Sequence, residues 1–413
     1  MKIFTRRRKL EIFSQAMYPG TPKRVLILMS DTGGGHRAAA EAIQEAFTHL
    51  YGDAVSVAVV DAWRNHVAWP VSRFGNSYGW LVNDALWLWK RIWLLENKPK
   101  AVKTSIKSFY PLVAPGLLKL FKTQKPDIIV SVHPLITILP LMVLKRAKLN
   151  IPFITVVTDM VVGFHTWYQP QTTLCLVPTE AAKKHALSLG MPPEKIEVVG
   201  QPVALKFAGG VGEKTCLRRK LGLSLDRPIA LLVGGGEGYG PVFEIARCIA
   251  QNVSRAQLIV IAGRNKSLKK KLDEVNWEIP TKIFGFVNNM PELMGAADVF
   301  ITKAGPGSIS EAFVTKLPLI LYDYIPGQEE SNVRYVIKHN AGTYVPDPEK
   351  IASLLADWIR PENPILEQMA QNSARLAHPE AALTIARRVY EQIKKNGTMN
   401  RSRPSSPAAF ASV

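Results

Sequence analysis

The sequence predicts an α/β protein made of two doubly wound parallel sheets facing a cleft. Three observations predict it. Short apolar runs alternate with helical patterns along nearly the whole chain. The segments Gly200-Gln201-Pro202 and Ala208-Gly209-Gly210 break that alternation at mid-chain and read as a linker. Glycine-rich turns follow the first strand of each half, at the carboxyl ends of strands, where such sheets bind ligands. A length of 413 residues suits two domains, each with an ample core.

Taken in order, the first half carries strand patterns near 24–30, 55–60, 127–132, 152–157 and 173–177. The second carries them near 228–233, 257–262, 282–286, 298–302 and 318–322. Residues 1–205 form the first predicted domain and 206–395 the second, the last helices being able to pack back on the first. From Asn396 the chain is rich in Ser, Pro and Ala, so 396–413 is expected to be a disordered tail.

Composition narrows the class. Apolar residues make up 47% and charged residues 21%, as in ordinary globular proteins. No apolar run is long enough to span a bilayer. The N-terminus lacks the apolar core of a secretory signal. Cys175, Cys216 and Cys248 are widely spaced and form no CxxC, which suits free thiols in a reducing compartment. The net charge is +19, and 25 of the 52 Lys/Arg against 13 of the 33 Asp/Glu fall in residues 1–205. Such a balance attracts polyanions. No nucleic-acid-binding signature accompanies it, so no nucleic-acid partner is expected.

The first glycine turn is Ser30-Asp31-Thr32-Gly33-Gly34-Gly35-His36-Arg37, between a strand and a helical pattern from Arg37 to Leu50. It offers backbone N–H groups and a positive helix end to an oxygen-rich ligand. The histidine embedded in it adds a group able to move a proton. Gly33-x-Gly35-x-x-Ala38, with Asp61 ending the next strand, also fits a dinucleotide fingerprint, which would make the protein an oxidoreductase. Against that reading, His36 and Arg37 stand where close backbone approach wants small groups.

In the second half, Gly234-Gly235-Gly236-Glu237-Gly238-Tyr239-Gly240 follows a strand but ends in no P-loop Gly-Lys-Ser/Thr. Lys303-Ala304-Gly305-Pro306-Gly307-Ser308 is another strand-to-helix turn. Glu311, three residues after Ser308, fits either a capping box or a carboxylate that holds a ribose diol. Asp323-Tyr324-Ile325-Pro326-Gly327-Gln328-Glu329 crowds polar groups at the start of a helix over 328–339. Such groups read sugar hydroxyls, or else serve the helix dipole.

Residues 63–95 hold six of the nine Trp: Trp63, Trp69, Trp80, Trp87, Trp89 and Trp93. Wound as one helix from Trp80 to Leu95, the polar residues Asn83, Asp84, Lys90 and Arg91 share one arc of about 120°. This suits a helix lying in a membrane interface or, alternatively, packed on its own sheet. Nine basic residues and one acid between Lys90 and Lys125 favour anionic lipid.

Together these segments, with Ala262-Gly263-Arg264-Asn265 and Gly285-Phe286-Val287-Asn288-Asn289-Met290, resemble the monogalactosyldiacylglycerol synthase group of glycosyltransferase family 28, in order and spacing from about residue 24 to 345. The resemblance implies the GT-B fold: two Rossmann-like domains, the acceptor in the first and the nucleotide-sugar in the second. It implies an inverting transfer of a hexose, galactose favoured, from a UDP-sugar to diacylglycerol. Diacylglycerol glucosyltransferases, some processive, are related, as is the GlcNAc transferase of peptidoglycan synthesis.

By this resemblance His36 falls on the catalytic base, with Gly34 and Gly35 against the donor. Gly305, Gly307 and Ser308 fall on the pyrophosphate site, Glu311 on the ribose acid, and Gln328, Glu329 and Asn332 on the donor sugar. Gly234, Gly235, Gly236 and Arg264 line the donor site, and Phe286 and Val287 run beside uracil. His133 and Trp167 fall on the acceptor side, and Trp87, Trp89 and Trp93 on the membrane side. The family shows a Pro between His165 and Thr166 that this chain lacks. No D-x-D occurs, so neither metal nor cofactor is expected, and UDP-hexose, diacylglycerol and anionic lipids are the expected partners. Plant members carry a transit peptide, whereas this chain begins almost at the fold, which leads to the expectation of a bacterial enzyme on the cytoplasmic face of the cell membrane. Arg6-Arg7-Arg8-Lys9 is then a candidate lipid contact.

Overall fold

The computed structural model describes residues 21–32, 34–64, 66–67, 80–81, 85–96, 99–210 and 212–401. Gly33, Trp69, the Arg6–Lys9 arm and residues 402–413 lie outside them.

Two six-stranded, all-parallel sheets form the architecture. The first contains β1 (Lys23–Met29), β2 (Val55–Asp61), β3 (Ile128–Ser131), β4 (Phe153–Val156), β5 (Leu174–Val177) and β6 (Ile196–Val198), in the order β2-β1-β3-β4-β5-β6. The second contains β7 (Ile229–Val233), β8 (Gln257–Ile261), β9 (Thr281–Phe284), β10 (Val299–Lys303), β11 (Leu319–Asp323) and β12 (Gly342–Tyr344), in the order β12-β11-β10-β7-β8-β9. All the predicted strands are present within a residue or two. The two three-residue edge strands β6 and β12 escaped prediction, since so short a segment carries no period.

The helices that matter to the site are α1 (Gly34–Tyr51), α2 (Leu86–Glu96), α3 (Val242–Asn252), α4 (Pro306–Val314), α5 (Glu330–Lys338) and α6 (Ala381–Arg401). Strands buried on both faces explain why β3, β4, β5 and β7 read as unbroken apolar runs. On the first sheet, Val25, Ile27, Ile128, Val130 and Ile154 pack beneath Ile43 and Phe47 of α1. Ala382, Ile385, Ala386, Val389 and Ile393 of α6 complete that same core. The chain therefore crosses to the second domain near Gly200 and returns near His378. Gly200, with φ of +89°, lies so close to His378 that a Cβ there would come within 2.3 Å of the His378 Cβ.

Three predictions need correction. Helix α1 begins at Gly34, not Arg37, so His36 sits in a helical first turn. Helix α6 runs to Arg401, so residues 396–401 of the expected tail are helical. The tryptophan segment is not one helix from Trp80, because Ala85 is non-helical and the described helix starts at Leu86.

Candidate active site

His36 lies where α1 leaves the carboxyl edge of the first sheet. Its Nδ1 stands 2.9 Å from the Val132 carbonyl oxygen and 3.0 Å from Thr158 Oγ1. A carbonyl only accepts, so Nδ1 carries the proton and donates. The neutral ring then keeps its lone pair on Nε2. Desolvation pushes the His36 pKa down to about 4, because protein surrounds the ring although part of it remains accessible. The positive end of α1 acts in the same direction. His36 is thus a neutral base at ordinary pH.

His133 packs against it at 4.4 Å between ring centroids and is buried. Its Nδ1 accepts from the Leu135 backbone N–H at 3.2 Å, so its Nε2–H donates to Thr32 Oγ1 at 2.7 Å. Burial and the neighbouring His36 hold His133 well below the ordinary histidine range. His133, expected on the acceptor side, braces the turn before α1 through Thr32.

The dinucleotide reading ends at Asp61. Its carboxylate accepts from the N–H groups of Asp31, Trp63 and Arg64, a structural role that leaves it poorly placed for a ribose. Asp31 in turn pairs with Arg37.

Trp167 is fully buried, 6.3 Å from the His36 ring. It cannot touch an acceptor chain in this conformation. Its Nε1–H donates to Asp159 Oδ2 at 2.6 Å, and Asp159 Oδ1 accepts from Gln328 Nε2 at 3.3 Å. These contacts lead from beside the His36 ring to the turn before α5. The sequence alone assigns Asp159 no role. Nothing there signalled a contact 169 residues away.

In the second domain, α4 begins at Pro306 with Gly305 as N-cap and no side-chain cap. Glu311 therefore lies inside the helix and makes no capping box. Burial raises its carboxyl to about 7, against the pull of Lys206. Helix α4 lies in contact with α1 of the first domain. A Cβ on Gly34, Gly35, Gly235 or Gly307 would meet no described atom within 4 Å, so a ligand can approach these backbones closely. Gly238 differs: its φ is +66°, and a Cβ would come within 2.0 Å of the Ala262 carbonyl oxygen. Close packing there holds the Gly234–Gly240 turn against the start of the next loop. Gly236 also takes part, since its carbonyl accepts from the Arg264 N–H.

Arg264 stacks over the Phe286 ring at 4.3 Å and pairs with Glu237 at 2.8 Å, and Phe286 is 54% exposed. An exposed ring capped by a guanidinium is a platform for a planar base. Val287 beside it is half-buried and packs against the core of the second sheet.

Glu329 is buried, its carboxyl raised to about 7 by desolvation, and its Oε2 accepts from Ile325 N–H at 2.8 Å. Asn332 is also buried and donates to the Ala304 carbonyl at 3.0 Å. That bond ties the start of α5 to the α4 turn. Helix α5 starts at Glu330, two residues later than predicted, which leaves Gln328 and Glu329 in the preceding turn.

The tryptophans divide. Trp87 is 65% exposed and Trp80 56%. Trp89 is buried and donates from Nε1 to the Pro326 carbonyl at 3.0 Å. Trp93 packs edge-on to Phe164 at 4.7 Å and lies against Gly327. Of the three expected to face lipid, only Trp87 is largely exposed. At 100° per residue, positions 89 and 93 oppose position 87 on a helix. Among the described residues no group of three or more His, Cys, Asp or Glu is gathered as metal ligands.

Two family models match in sequence order: monogalactosyldiacylglycerol synthase over residues 36–203 and the glycosyltransferase family 28 C-terminal domain over 229–386. Monogalactosyldiacylglycerol synthase 1 of Arabidopsis thaliana is 42% identical over 392 residues, covering 92% of this chain and 72% of its own. The spinach enzyme is 42% identical over 394 residues, covering 92% and 74%. The chain belongs to the monogalactosyldiacylglycerol synthase family. It is a family 28 glycosyltransferase with the GT-B fold. MurG of Acinetobacter baumannii superposes with a TM-score of 0.59 at 13% identity, over 90% of this chain and all of that one. Staphylococcus aureus MnaA does so with 0.61 at 13%, over 93% and 99%. At that identity the likeness concerns the fold.

Proposed function

We propose that this protein transfers galactose from UDP-galactose to the sn-3 hydroxyl of 1,2-diacylglycerol, inverting the anomeric carbon. One observation carries the proposal: a neutral histidine with its Nε2 lone pair free, joined by Trp167, Asp159 and Gln328 to the loop that would hold the donor sugar. Nε2 of His36 takes the hydroxyl proton as the acceptor oxygen bonds to C1 of the sugar, while the bond from C1 to the β-phosphate oxygen breaks. UDP leaves with the electron pair. Its charge is met by the N–H groups at the start of α4 and the positive helix end, since Gly305 leaves that end uncapped by a side chain. Glu311 accepts from the ribose hydroxyls, and Phe286 with Arg264 holds the uracil.

The acceptor's acyl chains stay in the bilayer, because exposing them costs about 0.8 kcal/mol per CH₂. The protein therefore comes to the membrane. No described helix is long and apolar enough to cross one. Among the described residues, six of the eleven exposed large hydrophobic side chains lie between residues 80 and 112: Trp80, Leu86, Trp87, Leu94, Phe109 and Leu112. Clustered apolar exposure beside the basic residues Lys90 and Arg91 fits peripheral docking on anionic lipid at the cytoplasmic face of the cell membrane. Radiolabelled transfer from UDP-galactose and UDP-glucose to diacylglycerol in EDTA tests the reading. Galactolipid should form without metal. Glucolipid alone would reassign the donor, and no glycolipid from either would refute the proposal.

A further inference from the structure

The loop Pro326–Gln328 precedes the proposed sugar contact at Glu329, yet its own domain does not hold it alone. The Pro326 carbonyl accepts the Trp89 Nε1–H at 3.0 Å. Gly327, with φ of +84°, presses against Trp93 so closely that a Cβ would come within 2.5 Å of Cδ1. Gln328 donates to Asp159. Three consecutive residues of the donor-side loop are thus fixed by side chains of the first domain, two of them from α2. The opposite face of α2 bears Trp87 and Leu94, both exposed, and Leu86 is exposed at the first position of the helix. One eleven-residue helix therefore presents one face to solvent and another to the donor loop.

We propose that Trp89 is a positioning residue for the donor sugar, so that the helix that docks on lipid also sets the loop that reads the hexose. The proposal rests on the glycolipid-synthase reading and adds a coupling to it. Coupling of this kind is reciprocal: whatever fixes α2 tightens sugar binding, and sugar binding tightens lipid docking. The indole N–H is the specific element, because losing it leaves the part-buried Pro326 carbonyl without that donor.

The test is calorimetric titration of the full chain with UDP and UDP-galactose, with and without vesicles of equal parts phosphatidylcholine and phosphatidylserine. In the wild type, UDP-galactose should bind several-fold more tightly with vesicles, and UDP should change little. Trp89→Phe keeps the ring packing and loses the donor. It should weaken UDP-galactose about tenfold, leave UDP unchanged, raise KM more than it lowers kcat, and abolish the vesicle effect. Equal weakening of both ligands, or of neither, would overturn the proposal. If Trp89→Phe does not fold, Trp93→Leu gives the same split or the same refutation. A wild type that binds UDP but not UDP-galactose would instead overturn the parent reading.

Discussion

At the scale of single residues, the site depends on which atoms are already occupied. His36 carries its proton on Nδ1 because Val132 offers only a carbonyl, and this leaves Nε2 for the acceptor hydroxyl. His36→Ala should lower kcat by about 10²–10⁴ with UDP affinity retained, measured as turnover and by titration. The pH profile follows from the direction of the shift. A base held down to about 4 stays neutral through the physiological range, so the acid limb of kcat/KM belongs well below the ordinary histidine value. The bound diphosphate favours imidazolium, so the acid limb of kcat should lie at higher pH than that of kcat/KM. Coincident limbs near pH 6.5 would mean that the ring is not desolvated. Linkage has the same sign: stability owed to neutral His36 is present above the unfolded pKa and is lost as pH falls toward about 4.

Glu311 has lost its capping alternative, since the helix is capped at Gly305. Glu311→Gln should weaken UDP by roughly 10–100-fold through the lost charge-assisted hydrogen bonds, with an unchanged melting temperature. A lower melting temperature with UDP affinity intact would return Glu311 to a structural role. The glycines, His36 and Glu311 were legible in the sequence because turn chemistry is local. The hydrogen bond of Asn332 and the packing of Val287 were not, because they depend on what packs opposite.

At the scale of elements, α2 shows the limit of reading one strand of chain. Its composition signalled an amphipathic helix with a membrane face, but both of its faces carry Trp. Composition alone could not tell which rings stay exposed and which meet the Pro326 loop. With burial known, the prediction sharpens. Trp87→Ser with Leu94→Ser should reduce sedimentation with anionic vesicles while UDP affinity stays constant, and added salt should weaken wild-type binding in the same assay. Unchanged vesicle binding would move the docking surface elsewhere. In the second glycine loop, Gly238→Ala should destabilise the second domain by about 1–3 kcal/mol and weaken UDP, because φ is +66° and the Ala262 carbonyl stands in the way. Denaturant titration with and without UDP measures both effects.

At the scale of the whole molecule, the order of the chain is not the order of the domains. Both sheets were legible from alternating apolar runs, and the linker from its glycines and proline. The return of α6 was foreseen only as an option, because an amphipathic terminal helix fits either sheet equally well on pattern. Ile385 is fully buried in the first-domain core although it follows every strand of the second. Ile385→Ala should cost about 2–4 kcal/mol. Hydrogen exchange should show protection falling at β1 more than at β10, and the reverse order would place α6 on the wrong sheet. The proposed reaction draws on both domains: His36 on α1 as the base, the start of α4 for the diphosphate, and the contacts of Trp167, Asp159 and Gln328 between them.

The most direct measurement of that arrangement is transfer of labelled galactose from UDP-galactose to diacylglycerol in mixed vesicles with EDTA, comparing the wild type with His36→Ala at matched UDP occupancy. The account predicts a β-linked galactolipid from the wild type and a fall of about 10²–10⁴ in the variant. Galactolipid formed at a near-normal rate by His36→Ala, or none formed by the wild type, would contradict it.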